Sequence, residues 1–189
     1  MNIFYLDEDP YKAAEMLCDK HVCKMITESC QMLSCTYRWL EGEWVYNVNV
    51  DGNHYDRFLF HNSDKLIFNN VEVGYLMKWN PFINNHPCTY WVRNDRYGYD
   101  YLINHLDALI KEYDLRFENK AYERERSILS YCKNNPINFL TYTNMKIPQA
   151  IKNYQHMDNP VEAYRNYYKQ DKREFAKWSV RKVPNWFLK

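Results

Sequence analysis

The stretch DPYKAAEMLCDKHVCKMITESCQMLSCTYRWL, residues 9–40, decides the fold. Asp9-Pro10 reads as a helix start. A carboxylate at the N-cap accepts from free backbone N–H groups, and proline loses nothing at the first helical position. Beyond it, Ala14, Cys18, Val22, Met25, Met32 and Leu33 recur near the 3.6-residue period. Gly42 ends the pattern. The expectation is one long N-terminal helix running from Pro10 to about Leu40.

The rest of the chain reads outward from that helix. Residues 1–6 are apolar and either extended or tucked into the core. Residues 44–50 alternate polar and apolar, Asp51-Gly52 follows, and residues 54–60 resume, which predicts a small β-hairpin insertion over 44–60. Asn80-Pro81 and His86-Pro87 mark loops, because the residue before proline avoids the helical region. Tyr101, Leu102, His105, Leu106, Leu109, Ile110 and Tyr113 give the cleanest amphipathic helix. Another helix is expected over 122–132, before Asn134-Asn135-Pro136. Asn159-Pro160 opens a last one, expected to reach about Trp178. The fold class is therefore mainly α: a compact single domain over 1–189 with a long N-terminal helix and a small hairpin.

Composition agrees with a folded chain. It has 189 residues, enough for one domain with a real core. Tyrosines number 18 and glycines only 4, which argues against collagen, disorder and Gly-rich barrels. No apolar run is long enough to span a membrane, and no secretion signal opens the chain. A cytoplasmic protein is expected, in the host cytoplasm if the chain is phage-encoded. Four of the six cysteines (Cys18, Cys23, Cys30, Cys35) fall in one helical stretch, where disulfide geometry is out of reach. With Cys88 and Cys132 they read as small buried apolar side chains.

Charge is uneven. Residues 146–189 carry ten Lys/Arg against four Asp/Glu, whereas residues 1–35 carry six acids against three bases. The basic segment is interleaved with Tyr164, Tyr167, Tyr168, Phe175, Trp178 and Trp186. That pattern suits a phosphate backbone with stacking partners, or a solvated helix face over an aromatic core.

One polar strip stands out on the first helix. His21, Lys24, Glu28 and Gln31 share a face, and they read either as an active-site wall or as a solvated stripe with i,i+3 and i,i+4 pairing, the latter favoured on spacing alone. His21 and Glu28 have no evident third metal ligand, so no metal site is expected. Near His86-Pro87-Cys88, a histidine beside a cysteine suggests a thiol nucleophile. A loop entering a helix with buried aromatics is the stronger reading, with His86 or Arg93 facing a polar cleft.

Asp19-Lys20-His21, with Glu28 seven residues after the histidine, resembles the bacteriophage pyrimidine-dimer DNA glycosylases of the endonuclease V type. That family has an Asp-x-His on an early helix and its catalytic Glu at the same offset. Two further segments resemble it in the same order: residues 86–117, and Tyr164-Arg165-Asn166-Tyr167-Tyr168-Lys169. The resemblance implies a mainly helical fold and a duplex DNA partner. It also implies cleavage of a glycosidic bond followed by backbone nicking, with no metal and no cofactor. The nucleophile would be the terminal α-amine, here of Met1, and Glu28 the catalytic carboxylate. His21, Lys24, Gln31, His86 and Arg93 would line the site. Arg165, Lys169, Lys172 and Arg173 would hold phosphates.

The chain also departs from the family. Asn2 follows Met1 and disfavours removal of the methionine. Family arginines are replaced at Thr27, at Gln31 and just after the nucleophile, by Asn2 or Ile3. Lys24 is the runner-up nucleophile. Two other functions fit the residues: a non-catalytic module binding nucleic acid or a host protein, and an enzyme acting on free nucleotides.

Overall fold

The computed structural model describes residues 2–48, 54–59, 65–68, 71–139 and 145–188. Helices α1 (Pro10–Met16) and α2 (Asp19–Glu41) occupy the stretch expected to form one helix. Asp9 caps α1 as expected, accepting from the backbone N–H of Tyr11 at 2.9 Å. The unbroken helix is corrected at Leu17 and Cys18, which are extended. No glycine or proline causes the break. The carbonyls left open there are taken by donors from distant sequence. Arg116 donates to Glu15 O (3.0 Å) and Leu17 O (2.7 Å), and the Trp178 indole to Met16 O (3.1 Å). A helix end with its carbonyls satisfied loses little by stopping.

Past Gly42, strands β1 (Glu43–Val48) and β2 (His54–Leu59) pair antiparallel, from Glu43 opposite Leu59 to Val48 opposite His54. The expected Asp51-Gly52 turn lies outside the described residues. A second antiparallel ribbon, β3 (Lys65–Phe68) with β4 (Val71–Tyr75), was not expected; it carries an irregularity between Leu66 and Ile67.

The remaining helices are α3 (Pro81–Asn84), α4 (Pro87–Asn94), α5 (Arg96–Phe117), α6 (Glu123–Asn134), α7 (Pro160–Asp171) and α8 (Asn185–Leu188). On α5 the expected apolar face is the one that packs inward: Tyr101, Leu102, His105, Leu106, Leu109 and Ile110 are buried, and Tyr113 half-buried. It meets α1, α2, α4 and α6. Gly98 lets α5 approach α4, since a Cβ there would lie 2.8 Å from the Trp91 ring. All six cysteines are free thiols, five of them buried.

Helix α7 starts at Asn159-Pro160 as expected, but its expected end at Trp178 is corrected to Asp171. Leaving the helix lets Phe175 reach the His21 ring (5.3 Å between centroids) and Trp178 reach Met16. The segment is then clamped to the start of α2. Asp19 N donates to Lys177 O at 2.9 Å, and Ser179 N to Asp19 Oδ2 at 2.8 Å. Among the described residues, no helix is long and apolar enough to cross a membrane.

Candidate active site

The polar strip on α2 does not behave as one solvated stripe. Lys24 is exposed, Glu28 and Gln31 are half-buried, and His21 is buried. His21 sits in an aromatic box. Phe4 stacks on it at 4.4 Å, Tyr168 and Phe175 meet it edge-on, and its Nδ1 hydrogen-bonds the Tyr168 hydroxyl at 2.5 Å. The favoured reading of a solvated stripe is therefore corrected at His21. Phe4 holds its ring there from a backbone φ of 48°, a conformation costly for a bulky residue. Burial pushes the imidazole down to about 3, and the charges of Lys172, Lys24 and Lys20 push the same way. His21 is thus neutral at pH 7.

Two turns along the helix, Glu28 pairs with Lys24 at 3.3 Å. Burial is the main influence on both groups at the start of α4, leaving His86 below and Cys88 above its ordinary value, and the Glu28 charge pushes each of them upward by a lesser amount. His86 is the N-cap of α4, and its Nδ1 accepts from Cys88 N at 3.2 Å. The neutral ring therefore carries its proton on Nε2. Burial lowers His86, the positive charge of the chain's amino terminus lowers it further, and Glu28 opposes both. Burial pushes the Cys88 thiol up to about 12, so it stays protonated and is no nucleophile at neutral pH.

Met1 lies outside the described residues. Asn2 is buried and heavily bonded. Its Oδ1 accepts from Tyr164 Oη (2.6 Å), Ile3 N (3.0 Å) and Cys88 Sγ (3.6 Å), and its Nδ2 donates to Ala150 O (3.0 Å). Asn2, Phe4, Tyr164, Tyr168 and Phe175 are site-building residues that the sequence reading did not assign. The tyrosine-rich C-terminal segment was the only signal for any of them.

The other expected site residues are dispersed. Arg93 is buried and held by Asn84, through Oδ1 at 2.6 Å and the backbone O at 3.1 Å, with its guanidinium over the Trp39 and Tyr90 rings. It fixes the α3–α4 corner. Arg165 is spent inside the molecule, donating to Leu6 O (2.9 Å) and Asp7 (3.2 Å). Lys172 lies over Tyr167 and Phe175, Arg173 is exposed beside Phe187, and Lys169 is half-buried on α7.

The family model described as pyrimidine dimer DNA glycosylase matches residues 1–125, about two thirds of the chain. The match takes in α1 to α5, with Glu28, His86 and the beginning of α6. The protein belongs to the pyrimidine dimer DNA glycosylase family, and the substrate that membership implies is DNA. No curated protein and no solved structure matches the chain. Residues 126–189, with Tyr164, Tyr168 and Phe175, lie beyond the matched part.

Proposed function

We propose that this chain is a DNA glycosylase with associated lyase activity, acting on a damaged or modified base through a Schiff base to the terminal amine of Met1. Glu28 is the catalytic carboxylate in this reading. What supports it is the family match over residues 1–125, which takes in both Glu28 and His86. A free α-amine ordinarily titrates at about pH 8, so part of it is neutral and nucleophilic at about pH 7.

In the first step the amine nitrogen bonds to the sugar C1′ and the C1′–N glycosidic bond breaks. The base leaves with that electron pair and takes up a proton. Opening of the sugar gives the imine. Loss of a C2′ proton then expels the 3′ phosphate and nicks the strand, with no oxidant or reductant needed. Glu28 stabilises the cationic sugar and relays protons. Lys24 pairs with that carboxylate, and His86, whose Nδ1 accepts from Cys88 N, keeps an Nε2–H to donate. His21 acts as a neutral packing group that shapes the wall rather than as an acid.

Borohydride trapping on duplex DNA carrying an abasic site, followed by mass spectrometry, tests this. The expected adduct is on Met1, and Glu28→Gln is expected to lower turnover by about 10²–10⁴. An adduct on Lys24 would move the nucleophile within the same reaction class. Undiminished strand cleavage by Glu28→Gln would sink the assignment.

A further inference from the structure

Among the described residues, Phe82 is the most exposed large apolar side chain, with 87% of its surface open to solvent. A lone exposed apolar residue needs no explanation. Phe82 differs because the corner that carries it is braced on both sides of the ring. Asn80 caps α3, its Oδ1 accepting from Phe82 N at 2.9 Å and Ile83 N at 3.4 Å. Pro81 fixes the backbone angle just before the ring. Ile83 packs on the core, and Asn84 is buried and bonded to Arg93 through Oδ1 and the backbone O. Arg93 in turn lies over the Trp39 and Tyr90 rings. The fold thus uses buried polar contacts to hold a bare phenyl ring out in water.

The corner stands against the helix that carries Glu28. Cys35, two turns past Glu28 on α2, contacts Asn80 O through its Sγ at 4.0 Å. At 1.5 Å per residue, that contact lies about 10 Å along α2 from Glu28, or about three base-pair steps of duplex. The chain leaving α3 runs directly into His86, the N-cap of α4. Residues 75–94 hold Lys78 and Arg93 and no Asp or Glu, although the chain has 24 acids. A polyanion can therefore come up to the ring without meeting a carboxylate from this stretch.

We propose that Phe82 is a wedge that enters the base stack of a damaged duplex and holds open a step beside the lesion, so that the sugar can reach Glu28 and the amino terminus. Apolar side chains of this kind part base steps and kink a duplex, and unstacking costs least where a base is already damaged. Phe82 is then a positioning residue rather than a catalytic one. The inference rests on the DNA glycosylase reading and adds to it the means by which a lesion inside a duplex is opened.

The experiment uses the full chain and a duplex carrying a pyrimidine dimer, with 2-aminopurine, which brightens when unstacked, within about three base pairs of it. Wild type is expected to raise the fluorescence. Phe82→Ala should abolish the rise and lower turnover on the duplex by about 10–100-fold, while Phe82→Leu restores most of both. On the same lesion inside a bubble of unpaired bases, wild type and Phe82→Ala should turn over alike, because no step has to be parted. Thermal midpoints should match, since the ring stands in water. Fluorescence and duplex turnover in Phe82→Ala equal to wild type overturn the wedge and leave the glycosylase reading standing. An equal loss on duplex and bubble overturns it too, since Phe82 then serves the site itself. If neither protein cleaves, but wild type brightens the probe and Phe82→Ala does not, the glycosylase reading falls alone. If wild type neither cleaves nor brightens the probe, both fall. A dimer in sedimentation that Phe82→Ala converts to monomer, with duplex turnover intact, would mean that the ring covers a second copy of the chain, and the proposal is wrong.

Discussion

The family-matched region and the C-terminal segment are built on different principles. The first is dominated by long helices: α2 has 23 residues and α5 has 22, packed through apolar faces. The second, residues 145–188, has a 12-residue helix, a four-residue helix and otherwise irregular backbone. Yet the second supplies Tyr164 to Asn2, Tyr168 and Phe175 to His21, and Trp178 to the end of α1. Regularity and contribution to the site do not run together. The segment's basic, aromatic composition works in two ways. Arg165 and Arg181 bond inward to carboxylates and a carbonyl, whereas Lys172 and Arg173 lie over rings. Composition alone cannot separate these uses, because both need the same residue types.

The joint between the two regions is where the comparison breaks most easily. Arg116 has a fully buried side chain that binds Glu15 O, Leu17 O, Asp19 and Glu112, and Glu112 also holds Arg181. Arg116→Met leaves two carbonyls and a buried carboxylate short of partners. Its expected cost is about 3–5 kcal/mol, read from the denaturant midpoint. Limited proteolysis should then cut the segment between α7 and α8 faster than wild type. If the midpoint moves by less than about 1 kcal/mol, the joint is not what holds the two regions together.

That joint also shows what the sequence could reveal. The starts of α1 and α7 were legible because Asp-Pro and Asn-Pro put the capping acceptor and the fixed φ side by side. The inner face of α5 was legible because its period is unbroken over three turns. The break at Leu17 was not, because its cause is Arg116, 99 residues away. The early end of α7 was hidden for the same reason. On α2, the placing of His21 and Glu28 on one helix was legible from their spacing. The burial of His21 was not, since nothing local announces that Phe4, Tyr168 and Phe175 cover that part of a polar strip.

Acid sharpens the comparison next, since each region covers a histidine. His105 lies wholly inside the matched core on α5, stacked on Tyr101, and His21 lies under the C-terminal segment. Burial lowers both imidazoles to about 3. The fold keeps them neutral, whereas the unfolded chain protonates them near about 6.5. Stability is therefore complete above about pH 6.5 and falls as pH drops toward about 3, by about 1.4 kcal/mol per pH unit for each histidine. Glu112 adds to the loss at lower pH. Burial raises it, but bonds from Arg181 and Arg116 outweigh burial and hold it below the usual range. In urea titrations between pH 6 and 4.5, His105→Leu should halve the slope of stability against pH. A slope unchanged in that variant would assign the acid sensitivity to other groups.

A single hydroxyl tests the cover over His21. Tyr168 Oη accepts from Cys18 N at 3.2 Å, where α2 lacks a side-chain cap, and hydrogen-bonds His21 Nδ1. Tyr168→Phe keeps the ring and strands one N–H and one imidazole nitrogen. The expected loss is about 1–2 kcal/mol at pH 7. Duplex affinity should be preserved, because Tyr168 is fully buried and offers the hydroxyl no surface. A change in affinity larger than the change in stability would mean that the box moves when DNA binds.

The smallest effect belongs to Arg181, and it separates geometry from charge. Its guanidinium meets Glu112 at 2.6 Å and Glu15 at 3.5 Å, but its side chain is about a third exposed. Solvent screens such a pair, and Glu112 keeps Arg116 as a second buried partner. Arg181→Gln should therefore cost only about 0.5–1 kcal/mol, and less in high salt. Arg181→Lys should recover part of that loss, since it keeps the charge and loses the two-pronged contact. A loss from Arg181→Gln as large as that from Arg116→Met would mean that the C-terminal segment is fastened at its outer edge rather than through the buried guanidinium. The comparison of the two regions would then have to be redrawn with Glu112, the residue both arginines share, as its centre.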